Sequence, residues 1–262
     1  MWYKNDMDGM NDKILRISEL VAGSDKVVVF TGAGASTESG IPDFRSPGGI
    51  WSRFDPDEFT IQKFISSSET RRKQWKFLIE SGLITDARPN RAHLAIAELE
   101  KMGKLRCVIT QNIDNLHQKA GNQPQRVFEL HGTMGWARCM DCRARFPLES
   151  IMQMLAEVDY LPECGQCSGM LKPDVVFFGE SLPERTLQAA IAHARSCDLF
   201  IVIGSSLVVY PAAYLPLYAV EVGAKLVIIN NSPTPYDDRA EVVIDGSAGE
   251  AMERIIDLVK KM

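Results

Sequence analysis

The fold of this chain can be inferred from the stretch Val27-Val28-Val29-Phe30-Thr31-Gly32-Ala33-Gly34-Ala35-Ser36. An unbroken apolar run is followed at once by small and polar residues. A strand without polar alternation is buried on both faces, as in a parallel sheet that helices cover on both sides. The stretch therefore predicts a buried strand that ends in a glycine-containing turn.

Further apolar runs of the same kind occur at Cys107-Val108-Ile109, Leu199–Ile203 and Leu226–Ile229. Amphipathic patterns with helical spacing lie between the runs or after them, over Ala92–Met102, Leu187–Ala194 and Ala251–Lys260. Strands that alternate with helices predict an α/β fold, here a doubly wound parallel sheet of the Rossmann-like type.

Each apolar run ends in a cluster of polar or glycine residues. The four clusters are Thr31–Ser36, Thr110-Gln111-Asn112-Ile113-Asp114, Gly204-Ser205-Ser206 and Asn230-Asn231-Ser232. In open parallel sheets, ligands bind beyond the carboxyl ends of the strands. If these clusters meet in one crevice, they form a nucleotide site.

The tripeptide Gly32-Ala33-Gly34 resembles the beginning of a dinucleotide fingerprint, because small residues let backbone N–H groups approach a pyrophosphate. The third glycine is missing, since position 37 is Thr37. The acidic residue expected about 20 residues further on is also not in place. This pattern disfavours an ordinary dehydrogenase. On the tripeptide alone, a tight strand–helix turn that binds no ligand remains an alternative interpretation.

Four cysteines form two CxxC pairs, Cys139 with Cys142 and Cys164 with Cys167. Two such pairs can close a tetrahedral Zn²⁺ site whose four thiolates leave no position for water or substrate. We therefore expect one structural zinc ion. Two disulfides and four unrelated buried thiols are the alternatives.

The cysteine pairs interrupt the α/β pattern. We expect a small zinc-ribbon domain over 135–170, inserted into a nucleotide-binding domain formed by 13–134 and 171–262. A second insertion, over about 41–90, is a long connection with several prolines. Connections of this length in compact domains are usually functional, so we expect it to form a cofactor-binding loop with helical parts.

The bulk composition excludes several partner classes. The net charge of −5 for 262 residues gives no indication of a nucleic-acid or anionic membrane surface. The polar, acidic Met1–Asp12 does not resemble a secretory signal, and no apolar run approaches the ~18 residues of a membrane span. We therefore expect no direct nucleic-acid or membrane partner and a cytoplasmic location. We interpret the other two cysteines, Cys107 and Cys197, as buried thiols.

One of the four histidines is a candidate general base. His131 follows a short apolar strand and precedes a glycine, and imidazole titrates near neutrality. The other three lie on predicted helices, and we interpret them as structural: His93, His117 and His193. Spacing alone leaves a structural role open for His131 as well.

Several long motifs resemble the sirtuin family of NAD-dependent protein deacylases, in that family's order and in its bacterial form. The resemblance covers the chain from about Lys13 to its end. Besides the two cysteine pairs, the motifs are Gly32-Ala33-Gly34-Ala35-Ser36-Thr37-Glu38-Ser39-Gly40-Ile41-Pro42-Asp43-Phe44-Arg45, Thr110-Gln111-Asn112-Ile113-Asp114-Asn115-Leu116-His117, Glu129-Leu130-His131-Gly132, Lys172-Pro173-Asp174-Val175-Val176-Phe177-Phe178-Gly179-Glu180 and Gly204-Ser205-Ser206-Leu207.

The resemblance implies a reaction in which NAD activates the amide. In sirtuins the acetyl-lysine oxygen displaces nicotinamide at the ribose C1′ and gives an alkylimidate. His131 would then be the base on the ribose hydroxyls. The expected products are deacetylated lysine, nicotinamide and 2′-O-acetyl-ADP-ribose, and acetylated proteins or peptides are the expected substrates.

The resemblance also implies roles for individual residues. Asn112, with Gln111, would position the nicotinamide ribose in catalysis, while Ile113 and Asp114 would hold the carboxamide. Phe44 would cover the nicotinamide, and Ala33, Gly34, Thr37 and Arg45 would contact the phosphates and ribose. The adenosine contacts would be Ser205, Ser206, Asn230, Ser247 and Ala248, and the acyl-lysine tunnel would be Val175, Val176 and Phe178.

Two other functions remain open. The chain could be an NAD-dependent protein ADP-ribosyltransferase, in which a protein side chain attacks the same ribose C1′ of NAD. Alternatively, it could be a zinc-ribbon binding module that senses NAD. His131 favours deacylation, since transfer to a side chain needs no base at the ribose 2′-hydroxyl. Sirtuins selective for succinyl or malonyl groups resemble one another in a Tyr-x-x-Arg pair, which the segment Gln74–Ile79 lacks. We therefore expect neutral acyl groups, acetyl first.

Overall fold

The computed structural model describes residues 2–80, 87–157 and 161–262. The described helices are α1 (Trp2–Ala22), α2 (Ile61–Ser66), α3 (Ser68–Glu80), α4 (Arg91–Lys101), α5 (Leu116–Ala120), α6 (Leu148–Glu157), α7 (Glu184–Ala194), α8 (Leu215–Glu221) and α9 (Ala248–Val259). The described strands are β1 (Val27–Thr31), β2 (Leu105–Thr110), β3 (Val127–Glu129), β4 (Gly132–Cys139), β5 (Arg145–Pro147), β6 (Leu171–Val175), β7 (Leu199–Ile203), β8 (Lys225–Ile229) and β9 (Val242–Ile244).

Six parallel strands form the main sheet, in the order β3-β2-β1-β7-β8-β9. Every residue of β1 and of β7 is buried. One hydrophobic cluster packs α1, α4 and α9 against one face, and a second packs α7 and α8 against the other. The predicted doubly wound α/β fold is therefore confirmed.

The strand order reverses beside β1. From β1 the chain continues through β2 to β3 on one side, and from β7 through β8 to β9 on the other. The polar loops after β1 and β7 lie side by side at this switch point, where open α/β sheets bind ligands.

The predicted helices begin earlier in the structure than their apolar patterns do. The pattern over Leu187–Ala194 belongs to α7, which begins at Glu184, and the pattern over Ala251–Lys260 belongs to α9, which begins at Ala248. First turns of helices are often polar or capped, so apolar periodicity does not mark them. At α9 the cap is Ser247, whose Oγ accepts a hydrogen bond from the Glu250 N–H.

The antiparallel strands β5, β4 and β6 form a second sheet. Cys139 at the end of β4 and Cys164, which precedes β6, belong to a third hydrophobic cluster that also contains Trp75, Phe77 and Leu78 of α3. The cysteine module and the second half of the long connection 41–90 thus share one core. Residues 81–86 of that connection lie outside the described part.

None of the helices in the described part of the chain is both long enough and apolar enough to cross a membrane.

Candidate active site and metal centre

Backbone hydrogen bonds join the loops at the carboxyl edge of the main sheet. Gly34 N–H donates to the carbonyl of Gly204 over 2.9 Å, and Gln111 N–H donates to the carbonyl of Thr31 over 2.9 Å. Gly204 N–H donates to Ile229 over 2.9 Å. The ends of β1, β2, β7 and β8 are therefore tied into one rigid edge.

Glycine is required at the centre of this edge. Gly204 has a φ of +62°, and a Cβ there would lie 2.1 Å from the Ala35 nitrogen. A Cβ on Gly34 would lie 2.8 Å from the Gly204 Cα. Only residues without a side chain permit this approach of two loops.

A cavity of about 770 Å³ opens beyond the edge. The structure brings every predicted cofactor, catalytic and substrate residue onto its wall. These are Ala33, Gly34, Thr37, Phe44, Arg45, Gln111, Asn112, Ile113, Asp114, His131, Val175, Val176, Phe178, Ser205, Ser206, Asn230, Ser247 and Ala248.

His131 is held by the main-chain carbonyl of Gln111, 3.0 Å from its Nδ1. A carbonyl only accepts, so Nδ1 carries the hydrogen and Nε2 carries the lone pair. Burial lowers the pKa of His131, and the bond to Gln111 opposes that shift. The imidazole is consequently neutral near pH 7, with Nε2 able to accept a proton.

This protonation state predicts the pH dependence of the reaction. A base needs its neutral form, so kcat/KM should fall only in acid, with its midpoint below the ordinary histidine pKa of about 6.5. A pH profile with wild-type enzyme and an acetylated peptide measures this midpoint. A midpoint above pH 7 that disappears in His131→Ala would contradict the lowered pKa.

Asn112, Ser36 and Asp114 form a hydrogen-bonded chain beside His131. The Asn112 amide donates to the Gly32 carbonyl over 3.0 Å and to Ser36 Oγ over 3.1 Å, and Ser36 Oγ donates to Asp114 Oδ2 over 2.7 Å. Both Asn112 amide hydrogens are therefore engaged, and its Oδ1, which has no partner in the described part of the chain, can accept from a hydroxyl. Asp114 also accepts from the Leu116 N–H over 2.9 Å, which fixes the carboxylate while leaving further lone pairs.

Gln111 offers a hydrogen-bond donor to the cavity, whereas Asn112 and Asp114 offer acceptors. Its Oε1 accepts from Ser205 Oγ over 2.7 Å, so its NH₂ group remains a donor. A donor at Gln111 and acceptors at Asn112 and Asp114 suit a ligand that carries both hydroxyl and amide groups, as a nicotinamide riboside does.

The cysteine cluster has the geometry of a metal site. The Sγ atoms of Cys139 and Cys167 are 3.5 Å apart, those of Cys142 and Cys164 are 3.6 Å apart, and all four lie within 4.8 Å of one another. A tetrahedron with Zn–S bonds of about 2.3 Å separates its sulfurs by about 3.8 Å. The thiols fit Zn²⁺, and their separations are much longer than the ~2.05 Å of a disulfide.

Both cysteine pairs use the same turn. Arg143 and Ser168, each directly after the second cysteine of a pair, have φ values of +65° and +58°. Their N–H groups donate to the carbonyls of Cys139 and Cys164. These turns point two thiols of each pair toward one centre.

Residues 32–211 match the family model described as "Sir2 family". The chain belongs to the Sir2 family. It is 48% identical to an NAD-dependent protein deacetylase of Thermodesulfovibrio yellowstonii, over 95% of this chain and 96% of that protein. It is 46% identical to NAD-dependent protein deacylase 2 of Archaeoglobus fulgidus, over 97% and 98%.

A solved Sir2 structure with deacetylated p53 peptide and 3′-O-acetyl ADP ribose has the same fold. Its TM-score is 0.87 at 41% identity, over 94% of this chain and 98% of that one.

The structure of this Sir2 chain adds an aromatic wall that the sequence did not reveal. The Trp51 ring lies 5.2 Å from Phe44, 5.5 Å from Phe59 and 5.9 Å from Phe178, measured between ring centroids. The wall joins the residue predicted to cover the nicotinamide to a residue predicted for the acyl-lysine tunnel. The sequence feature that could have indicated this wall is a tryptophan, Trp51, within the proline-rich connection.

Glu38 is a second residue of the Sir2 cavity that sequence reasoning missed. Its Oε1 accepts from Ser247 Oγ over 2.9 Å and from the Gly249 N–H over 2.8 Å. The carboxylate thereby joins the turn after β1 to the first turn of α9, where negative charge is favourable. Its partners are far away in sequence, so no local pattern predicts this contact.

The remaining histidines lie outside the cavity wall. His117 Nε2 is 2.9 Å from Thr31 Oγ1, and His93 Nδ1 donates to Asn90 Oδ1 over 3.0 Å. Burial lowers the pKa of both. His193 packs against Phe128 near the end of α7.

Proposed function

We propose that this chain is an NAD-dependent protein-lysine deacetylase. It converts acetyl-lysine, NAD and water to lysine, nicotinamide and 2′-O-acetyl-ADP-ribose. The observation that carries the proposal is the geometry of His131, which lies on the wall of a cavity that also contains Asn112, Asp114 and the Val175–Phe178 segment. Its Nδ1 bonds to the Gln111 carbonyl, and its Nε2 has no hydrogen-bond partner among the described residues. The relatives' names, NAD-dependent protein deacetylase and deacylase, point to the same reaction.

The cofactor would lie across the switch point. Ala33, Gly34 and Thr37 would contact the phosphates and the ribose, because small residues after β1 allow close approach of a ligand. Arg45, from the long connection, would add a positive charge beside the phosphates. The adenosine would lie over the loops after β7, β8 and β9, which supply Ser205, Ser206, Asn230, Ser247 and Ala248.

The nicotinamide end would lie beside the hydrogen-bonded chain. Asp114 would accept from the carboxamide, Ile113 would pack beside it, and Gln111 and Asn112 would hold the ribose through their free donor and acceptor groups. Phe44, supported by Trp51, would cover this end and exclude water.

Bound NAD would supply an electrophilic ribose carbon, which forms a bond to the acyl oxygen as its bond to nicotinamide breaks. His131 Nε2 would accept the proton of a ribose hydroxyl, and the deprotonated oxygen would then be the nucleophile for the acyl carbon. The bond between Nδ1 and the Gln111 carbonyl fixes the tautomer and stabilises the imidazolium that forms.

The acylated peptide would add a strand along Val175, Val176 and Phe178. The Val176 N–H donates to the main-chain carbonyl of His131 over 2.8 Å, while the Val176 carbonyl accepts no hydrogen bond from the described residues. This unpaired carbonyl is one main-chain acceptor for such a strand, in which main-chain bonds supply affinity.

The zinc ion would be structural, held by Cys139, Cys142, Cys164 and Cys167 in a module of about 135–170. Four thiolates fill a tetrahedral ion, so no position remains for substrate. Four thiolates persist in a reducing compartment, which supports a cytoplasmic location.

The part of the cavity next to α3, which we call the acyl pocket, favours neutral acyl groups. The wall near α3 is formed by Gln74, Phe77 and Leu78, and Arg45 is the only lysine or arginine that lines the cavity within the described residues. Arg71 is held away, since its guanidinium donates to the carbonyls of Phe64 and Ile65. A buried succinyl carboxylate without a partner loses several kcal/mol.

We therefore expect kcat/KM for succinyl-lysine to be on the order of 100-fold or more below that for acetyl-lysine on one peptide. Propionyl-lysine, which adds length without charge, is the control and should remain a substrate. Equal values for acetyl and succinyl would contradict this interpretation of the pocket.

The function itself is tested by incubating the protein with an acetyl-lysine peptide, with and without NAD. We expect acetyl loss only with NAD. In a parallel reaction, NAD labelled in its adenylate half reports ADP-ribosyl transfer to protein. Transfer without deacetylation would identify an ADP-ribosyltransferase instead.

A further inference from the structure

A buried lysine lies beneath the segment Val175–Glu180, which we call the 175–180 segment. Lys172, on β6, is 8% exposed. Its Nζ donates to the Val175 carbonyl over 2.5 Å and to Glu180 Oε2 over 2.8 Å, and it lies 4.4 Å from the centroid of the Phe177 ring. All three of these partners belong to the one segment.

Glu180 completes the arrangement. The same Oε2 atom accepts from the Phe177 N–H over 2.7 Å, and the Glu180 N–H donates to the Phe177 carbonyl over 3.0 Å. Burial lowers the pKa of Lys172, and Glu180 opposes that shift. The Lys172 ammonium thus depends on Glu180, since its side chain is only 10% exposed and a buried ion without its partner is strongly unfavourable.

The ion pair occupies two main-chain groups of the segment, and main-chain bonds occupy others. The Val175 carbonyl and the Phe177 N–H bond to Lys172 and Glu180, and Phe178 bonds to Phe59 and Ile61. The Val176 carbonyl alone among those of residues 175–178 has no partner in the described part of the chain. Val176 also contacts His131 through its N–H.

We propose that Lys172 and Glu180 are positioning residues for the acylated substrate. They hold the 175–180 segment in the one conformation that presents the Val176 carbonyl to a peptide strand and keeps it in register with His131. The inference rests on the proposed deacetylase function. The adenosine side of the cavity is built from the loops after β7, β8 and β9, so cofactor affinity should not depend on the pair.

The test uses Lys172→Met, which keeps the aliphatic stem, together with Glu180→Gln and the double variant. Arg138→Met is the matched control. Arg138 lies opposite Lys172 in the register of β4 and β6. Its guanidinium binds Asp174 over 2.8 Å and makes no hydrogen bond to the 175–180 segment among the described residues. Fluorescence anisotropy of a labelled acetyl-lysine peptide gives the peptide Kd, calorimetry gives the NAD Kd, and thermal melting reports the fold.

We expect peptide Kd to rise about tenfold or more in Lys172→Met, from loss of a charged hydrogen-bond network. NAD Kd should stay within about twofold, as should both affinities of Arg138→Met. The double variant should weaken the peptide by less than the product of the single effects, because each single change leaves one charge unpaired.

An unchanged peptide Kd in the folded variants would overturn the proposal, and so would equal losses of peptide and NAD affinity. Should Lys172→Met fail to fold, Glu180→Gln decides on the same criteria, because it removes the charge and keeps the shape. Wild-type protein that binds the acetylated peptide without NAD-dependent turnover would refute the deacetylase function, and the peptide Kd would still decide the role of Lys172.

Discussion

His131→Ala should lower kcat/KM for deacetylation by about 10²–10⁴-fold, the usual effect of losing a general base. The ring lies on the cavity wall, and the Gln111 carbonyl fixes its tautomer. None of the described residues forms a hydrogen bond with its Nε2. Steady-state kinetics on an acetyl-lysine peptide measures the loss. NAD affinity, measured by calorimetry, should change much less, because the predicted phosphate and adenosine contacts come from other loops.

His193→Ala is the matched control, since this histidine lies near the end of α7 and outside the cavity wall. It should keep near wild-type activity. Turnover by His131→Ala within a few-fold of wild type, in protein with an unchanged melting temperature, would rule out His131 as the base.

Cys142→Ala should release zinc and lower the stability of the protein together. Structural zinc supplies on the order of 10 kcal/mol to the folding of a small module. Here the module shares a core with α3, because Cys139 and Cys164 belong to the hydrophobic cluster that contains Trp75 and Leu78. We therefore expect the acyl pocket to be lost with the metal. Metal analysis should change from about one Zn per chain to none.

Cys197→Ala separates loss of metal from loss of a buried thiol. Cys197 is buried in the core beside α7, outside the metal cluster. It should keep its zinc and lose only the modest stability that a small cavity removes. A metal-free Cys142→Ala protein with wild-type melting temperature and activity would contradict a structural zinc.

The strands of the main sheet could be predicted because burial on both faces leaves a local signature. Leu199–Ile203 has the predicted bounds, and β1 extends the predicted run only by Thr31. The helix beginnings could not be read from the same signal. Polar first turns, such as the one at Glu184, carry no apolar periodicity.

The location of the candidate site could be predicted because the carboxyl ends of parallel strands lie at the same edge of a sheet. The four polar clusters reach one cavity because the chain reverses its direction of strand addition beside β1. Contacts such as Glu38 with Ser247, or Trp51 with Phe44, depend on the tertiary path of the connection and of α9. Neither pairing follows from local sequence.

The fate of the acetyl group tests NAD-dependent deacetylation most directly. Wild-type protein, an acetyl-lysine peptide and NAD should yield deacetylated peptide, nicotinamide and O-acetyl-ADP-ribose in equal amounts, quantified together by mass spectrometry. Free acetate formed without nicotinamide, or deacetylation without NAD, would contradict the proposed reaction.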